Sequence, residues 1–309
     1  MINVTKLQAA MRRAGSLLAL AAAFSVAPCA HAGALLYTIG ADLLGAPTSL
    51  NSMDPSSSSS VTNVQMPLGD GSIGFNGGLV YSGGLIYGIG NDNNNFATLY
   101  SFDTSGQNLT VQSFQFNTTG AGTAFVFQNG LAAIGNTFYA IGADPSGQDL
   151  FQIGNGSATL VNGLATLGGT YSGMVYDPSS GRFYALIDNA SGAYSGDYLV
   201  EFGLSGPTNI VASLTSLDGA AIGTHLNGLA DAGGGVLYDI YIDPNTFTGQ
   251  LEQITVGGSV TTNTLYDTQI PLAQDAGIAL VSGTPEPATC FLTGGALALA
   301  GLFLRRRAR

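Results

Sequence analysis

Basic residues are almost absent from the interior of this 309-residue chain. Only 9% of the residues are charged, and 19 Asp and Glu oppose eight Lys and Arg. Arg182 is the single basic residue between Arg13 and Arg305, whereas residues 33–283 carry 18 acids. A segment this anionic repels nucleic acid and anionic membrane surfaces. The composition therefore excludes a nucleic-acid-binding function.

Cysteine, histidine and tryptophan are also scarce. The chain has two cysteines, two histidines and no tryptophan. Cys29 and Cys290 both lie in the terminal segments, so the interior offers neither a disulfide nor a thiol nucleophile. His225 is the interior histidine, and without cysteine partners it predicts no zinc site. We interpret His225 as a hydrogen-bonded loop residue.

The amino terminus has the three parts of a secretory signal. Lys6, Arg12 and Arg13 form the positive part, and residues 14–27 are apolar. Ala30 and Ala32 supply small side chains at positions −3 and −1, which predicts cleavage after Ala32 and a signal peptide over residues 1–32. An uncleaved anchor is the alternative.

The carboxyl terminus carries a second apolar run. Residues 288–304 would form a helix about 25 Å long at ~1.5 Å per residue, enough for a short transmembrane helix. Arg305, Arg306 and Arg307 follow it and would stay on the cytoplasmic side. Pro285-Glu286-Pro287 precedes the run, and its prolines keep that segment out of the helix and open to a protease.

This three-part tail, over residues 284–309, resembles a PEP-CTERM sorting signal. The resemblance implies a membrane sorting protease that recognises Pro285-Glu286-Pro287 in a Gram-negative bacterium. It also implies export across the inner membrane, release to the cell surface or matrix, and exopolysaccharide as a neighbour. Before processing, the tail would sit in the inner membrane. An ordinary single-span anchor with a proline break is the alternative.

Residues 33–283 form a repeat. Five strand-like segments each carry a Tyr followed two residues later by Ile or Leu, and these tyrosines recur every 45 to 54 residues: Tyr37, Tyr87, Tyr139, Tyr184 and Tyr238. Gly-first strands begin at Gly78, Gly130, Gly173 and Gly228, and a Leu-x-x-apolar segment and a Thr/Val-rich segment complete each unit. This period is typical of a four-stranded blade.

The ends of the repeat region indicate how it closes. The first unit lacks its Gly-first strand, whereas the carboxyl end has a spare one over residues 277–280. Pairing of the two ends would complete a fifth blade and hide both sheet edges. We therefore predict an all-β, five-bladed β-propeller over residues 33–283, with polar loops at 54–60 and 91–95. A β-sandwich and an open solenoid are the alternatives.

Acidic side chains are the main candidates for chemistry in the body. An Asp follows the repeated Tyr by five residues in four units, at Asp42, Asp92, Asp144 and Asp243. We expect each to hydrogen-bond its own turn. No cofactor is predicted, although calcium is possible in a single loop such as 188–197. Arg182 would pair with a nearby acid such as Asp177.

A glycosidase would need two facing carboxyl groups. Glu201 and Glu252 fall in third strands, away from the axis, and Asp275 precedes the closing strand. Asp231 alone is placed near a central channel. We therefore expect a non-catalytic, exported binding or structural module; the alternatives are a secreted carbohydrate-active hydrolase or lyase and a domain that binds a protein or a metal ion.

Overall fold

A computed structural model describes residues 33–41, 47–65, 74–91, 97–113, 115–116, 126–144, 147–154, 156–165, 167–189, 195–219, 225, 228–271 and 277–282. The predicted signal peptide and sorting signal, with Ala30, Ala32, Pro285, Glu286, Pro287 and the arginines from Arg305 to Arg307, lie outside these residues. Within them, no helix is both long and apolar enough to cross a membrane.

The described strands form five sheets, each built as one blade. Blade 1 orders β21 (Ile278–Val281), β1 (Leu35–Ala41), β2 (Pro47–Asp54) and β3 (Ser57–Gln65). Blade 2 orders β4 (Gly74–Ser82), β5 (Leu85–Asn91), β6 (Ala97–Phe102) and β7 (Thr110–Ser113). Blade 3 orders β9 (Val126–Ile134), β10 (Thr137–Asp144), β11 (Gly147–Gly154) and β12 (Ser157–Leu164), with β8 (Gln115–Phe116) at its edge.

Two further blades complete the ring. Blade 4 orders β13 (Thr170–Asp177), β14 (Arg182–Asn189), β15 (Gly196–Phe202) and β16 (Asn209–Ser213). Blade 5 orders β17 (Leu229–Gly233), β18 (Val236–Ile242), β19 (Thr248–Thr255) and β20 (Thr261–Pro271). A short helix, α1 (Leu214–Asp218), leads from blade 4 towards blade 5.

The predicted closure is confirmed. Strand β21 pairs antiparallel with β1, in a register that runs from Leu35 opposite Val281 to Thr38 opposite Ile278. The last strand thus supplies the inner strand that the first blade lacks. The protein is therefore an all-β, five-bladed propeller, and the open-solenoid and sandwich alternatives are wrong.

A ring of glycines surrounds the propeller axis. Each inner strand places one glycine against the backbone of the next blade, and a Cβ added to any of them would lie 2.5 to 3.1 Å from a neighbouring atom: Gly78, Gly130, Gly173, Gly228 and Gly277. The contacts run from blade to blade and return from Gly277 to Gly78. Because only a hydrogen fits, the glycines let five backbones meet at the axis.

The apolar core lies between neighbouring blades. Tyr139 of blade 3 meets Phe183 of blade 4 edge-on at 5.5 Å, and Phe183 stacks on Phe202, also at 5.5 Å. Blades 1 and 5 join in the same way, because Met53 and Ile240 belong to one buried cluster. The repeated aromatic and aliphatic positions therefore hold the ring together.

Two local features differ from the sequence predictions. The serine-rich segment predicted as a loop at 54–60 turns at residues 55 and 56 and then continues as β3. The Val- and Thr-rich end of β3 has a high strand propensity, which outweighs the loop composition of the serines before it. Strand β8 pairs in parallel with β12 and widens blade 3, a contact that the repeat did not predict.

Candidate functional site

A cavity of about 280 Å³ lies in the central channel. Residues from all five inner strands line it, and they follow the ring glycines in each strand. Most of the residues that line it are aliphatic, but polar atoms make up about half of its surface, and its polar side chains are those of Tyr81, Tyr176, Ser82 and Asp231. The volume is close to the lower limit of small-molecule pockets, so it suits one small ligand or the end group of a chain.

Asp231 is the one acidic side chain among the described residues of the channel wall. This confirms its predicted place beside the channel. Burial raises its pKa, whereas a bond from the Gly233 amide, 2.9 Å from Oδ1, lowers it. The nearby Asp177 adds a smaller upward shift, but its carboxylate already accepts from the Ser179 amide and hydroxyl at 2.7 and 2.9 Å. The carboxylate of Asp177 is therefore hydrogen-bonded within its own turn.

A second group of polar side chains is buried around His225, between blades 4 and 5. His225 is 1% exposed, and its Nδ1 lies 2.5 Å from Oδ2 of Asp239. Its Nε2 lies 3.0 Å from Oδ2 of Asp218, although that pair lacks the geometry of a hydrogen bond. Burial lowers the pKa of His225, but Asp218 and Asp239 outweigh it and raise the pKa to about 10. The imidazole is therefore held between two carboxylates.

Glu252 faces this histidine from β19. Its side chain is fully buried, and neither carboxylate oxygen makes a hydrogen bond of good geometry, although Thr262 lies near enough to lower its pKa slightly. Burial and the charge of Asp239 raise the pKa of Glu252 to about 8. A buried carboxyl group of this kind destabilises the folded state, because no protein hydrogen bond replaces those it made to water.

Two further aspartates lie on the blade 4 side of the cluster. Asp188 and Asp197 are opposite each other in the β14–β15 pair, and burial and the charge of Asp197 raise the pKa of Asp188. Asp197 also accepts a long bond, 3.4 Å, from the His225 amide. The Ser172 hydroxyl donates to the His225 carbonyl at 2.6 Å and fixes the backbone there. Blade 4 thus holds the backbone of His225, while its ring lies between Asp218 and Asp239.

The repeat itself shows that this cluster is specific to one blade. Asp239 and Glu252 face each other across β18 and β19. The positions equivalent to them in the other blades carry the cross-strand pairs Ala140–Phe151, Ala185–Val200, Gly88–Tyr100 and Thr38–Asn51. Three of these pairs carry no charged or amide group. Aligning the units position by position, rather than by their shared residues, would have revealed the exception.

Several sequence predictions are corrected or resolved here. His225 is a hydrogen-bonded residue outside any helix or strand, as predicted, and it is in addition buried among carboxylates. Arg182 pairs with Glu201 at 3.1 Å and not with Asp177. Asp243 accepts from the Asn245 amide at 2.8 Å, as expected for a turn. The side chains of Asp42, Asp92, Asp144 and Asp275 lie outside the described parts of the chain.

No family model matches this sequence, and no curated protein matches it either. Solved structures with a similar fold include a chain of a nidogen/laminin complex, 13% identical, with a TM-score of 0.47, covering 82% of this chain and 100% of that one. An α-L-arabinofuranosidase from Clostridium thermocellum is 11% identical, with a TM-score of 0.49, covering 78% and 93%. The Bacteroides ovatus xyloglucan PUL protein GH43B is 13% identical, with a TM-score of 0.49, covering 79% and 54%. Likenesses this distant assign no substrate and no residue role to the present chain.

Proposed function

We propose that this protein is an exported, non-catalytic binding module of the cell envelope or extracellular matrix. Its propeller would take the end group of an exopolysaccharide, or a similar small neutral ligand, into the central channel. This proposal rests on the channel wall, which consists mostly of aliphatic residues. Two tyrosines also line it, and Asp231 is the one acid among its described residues. Such a wall suits apolar contact with one face of the ligand plus one directional hydrogen bond.

The same wall argues against the hydrolase alternative. Glycoside hydrolysis needs two carboxyl groups on opposite sides of the scissile bond. Glu201 pairs with Arg182 in blade 4, and Glu252 is buried at the junction of blades 4 and 5. Asp231 therefore has no facing carboxylate among the described residues of the channel.

Binding through the channel predicts a clear result for Asp231→Asn. We expect wild-type protein to bind glycans on an array without releasing reducing sugar, and the variant to bind about tenfold more weakly, because it loses one bond to a charged group. Asp243→Asn, in an exposed turn, serves as the control and should bind normally. Sugar release by the wild type that is lost in Asp231→Asn would instead favour the hydrolase. Unchanged binding by Asp231→Asn would place the ligand elsewhere.

The export part of the proposal rests on the two terminal segments. We expect the mature protein, isolated from its native host, to begin at Gly33 and to end close to Pro285-Glu286-Pro287. Intact-mass measurement and terminal peptide sequencing would give both ends. Recovery of peptides that contain Arg309 from mature protein would contradict processing and would indicate a plain membrane anchor.

A further inference from the structure

Glu252 is the most unusual side chain in the described structure. It is fully buried, both of its oxygens lack a hydrogen bond of good geometry, and it points towards a histidine and another carboxylate. We propose that Asp218, His225 and Glu252 bind a divalent transition-metal ion, such as Zn²⁺ or Mn²⁺, at the junction of blades 4 and 5. This site is separate from the channel and does not depend on the function proposed for it.

The geometry of the three side chains fits a shared ion. One ligand atom from each of Asp218, His225 and Glu252 lies within 4.8 Å of the other two. His225 Nε2 and Asp218 Oδ2 are 3.0 Å apart, close to the ~3.3 Å that separates two ligands of a tetrahedral ion with bonds of ~2.0 Å. They are arranged like ligands that face a common point.

Asp239 supplies the orientation that metal-binding histidines require. Its contact with Nδ1 of His225 fixes the ring and directs Nε2 towards Asp218 and Glu252. A carboxylate behind a ligating imidazole is the usual outer shell of zinc sites, where it also increases the basicity of the ligand. Asp239 is itself fully buried, so its contact with His225 is shielded from solvent.

The local charge also favours a divalent ion. Three carboxylates, those of Asp218, Asp239 and Glu252, lie around one imidazole. A protonated His225 can offset one negative charge only. A bound divalent cation would offset two and would give Glu252 a partner.

The donor set selects the kind of metal. One imidazole nitrogen with two carboxylates suits Zn²⁺ and Mn²⁺, whereas Ca²⁺ takes six to eight oxygen ligands. The ligands come from α1, from the segment after it and from β19 of blade 5. A shared ion would therefore link blade 5 to the segment that joins it to blade 4. We therefore assign it a structural role.

Metal content and thermal stability of the purified full-length protein test this assignment. After EDTA treatment and dialysis, we expect ZnCl₂ or MnCl₂ to restore one ion per chain, measured by mass spectrometry of the metal. The ion should raise Tm by about 5–10 °C when it is present at a hundred times its Kd. CaCl₂ should do neither.

Glu252→Gln keeps the side-chain volume and should abolish both stoichiometric binding and the Tm increase. Glu201→Gln removes the glutamate of blade 4, which pairs with Arg182, and should bind metal normally. If circular dichroism shows that Glu252→Gln does not fold, Asp218→Asn, at the edge of the cluster, is tested instead and should likewise lose metal binding and the Tm increase. A wild-type protein that binds no transition metal, or that binds only Ca²⁺, overturns the proposal; so does normal binding by Glu252→Gln.

Discussion

Gly173→Ala is expected to destabilise the protein by about 3 kcal/mol, although it adds a single methyl group. That methyl carbon would lie 2.5 Å from Cα of Gly228 and 2.9 Å from its carbonyl carbon. Both atoms belong to the backbone of blade 5 and cannot rotate away, so the inner strands must separate. Because the glycine contacts form a closed ring, a shift at one contact is transmitted to the others.

Urea denaturation of the purified protein measures this effect, and Gly258→Ala is the matched control. No atom lies within 4 Å of a Cβ built on Gly258, and its φ is not in the left-handed region. This control should therefore change the free energy of unfolding by no more than about 0.5 kcal/mol. Equal stability of the two variants would show that the inner strands do not meet as closely as the structure has them.

The fold was predictable because its information is repeated. Each blade carries the same Tyr, Gly and Leu positions, so five weak signals reinforce one another, and the unequal ends revealed how the ring closes. The glycines at the strand starts were recognised as a marker of the repeat. The sequence does not reveal their function at the axis, because a close approach between blades is a tertiary contact without a local signature.

The cluster around His225 was missed for the opposite reason. Its members are spread along the chain from Asp188 to Glu252, and each taken alone resembles a solvated polar residue. Their convergence depends on the packing of blade 4 against blade 5, which is a tertiary contact. The signal lay in a departure from the repeat: where blade 4 places Ala185 opposite Val200, blade 5 places Asp239 opposite Glu252.

His225→Leu tests how strongly this cluster depends on its one cationic side chain. We expect a loss of about 3–5 kcal/mol in the free energy of unfolding, because Asp218 and Asp239 would remain buried without a positive partner. The measurement is made in EDTA, so that metal binding does not contribute. Arg182→Leu removes the partly exposed ion pair with Glu201 and should cost less than about 1 kcal/mol. Similar losses in the two variants would show that the buried cluster is hydrated and not isolated from solvent.

A triple variant built on His225→Leu distinguishes whether the polar cluster is required for folding or for metal binding. Adding Asp239→Ala and Glu252→Val to His225→Leu gives blade 5 the cross-strand pair that blade 4 already packs. Because apolar replacement of buried charges is usually neutral or stabilising, we expect the triple variant to regain at least about 2 kcal/mol over His225→Leu alone. It should still bind no metal.

Recovery of stability without recovery of binding would mean that the propeller folds well without these side chains, and that the cluster serves the ion. A triple variant no more stable than His225→Leu would instead make the polar cluster a requirement of the blade 4–blade 5 junction itself.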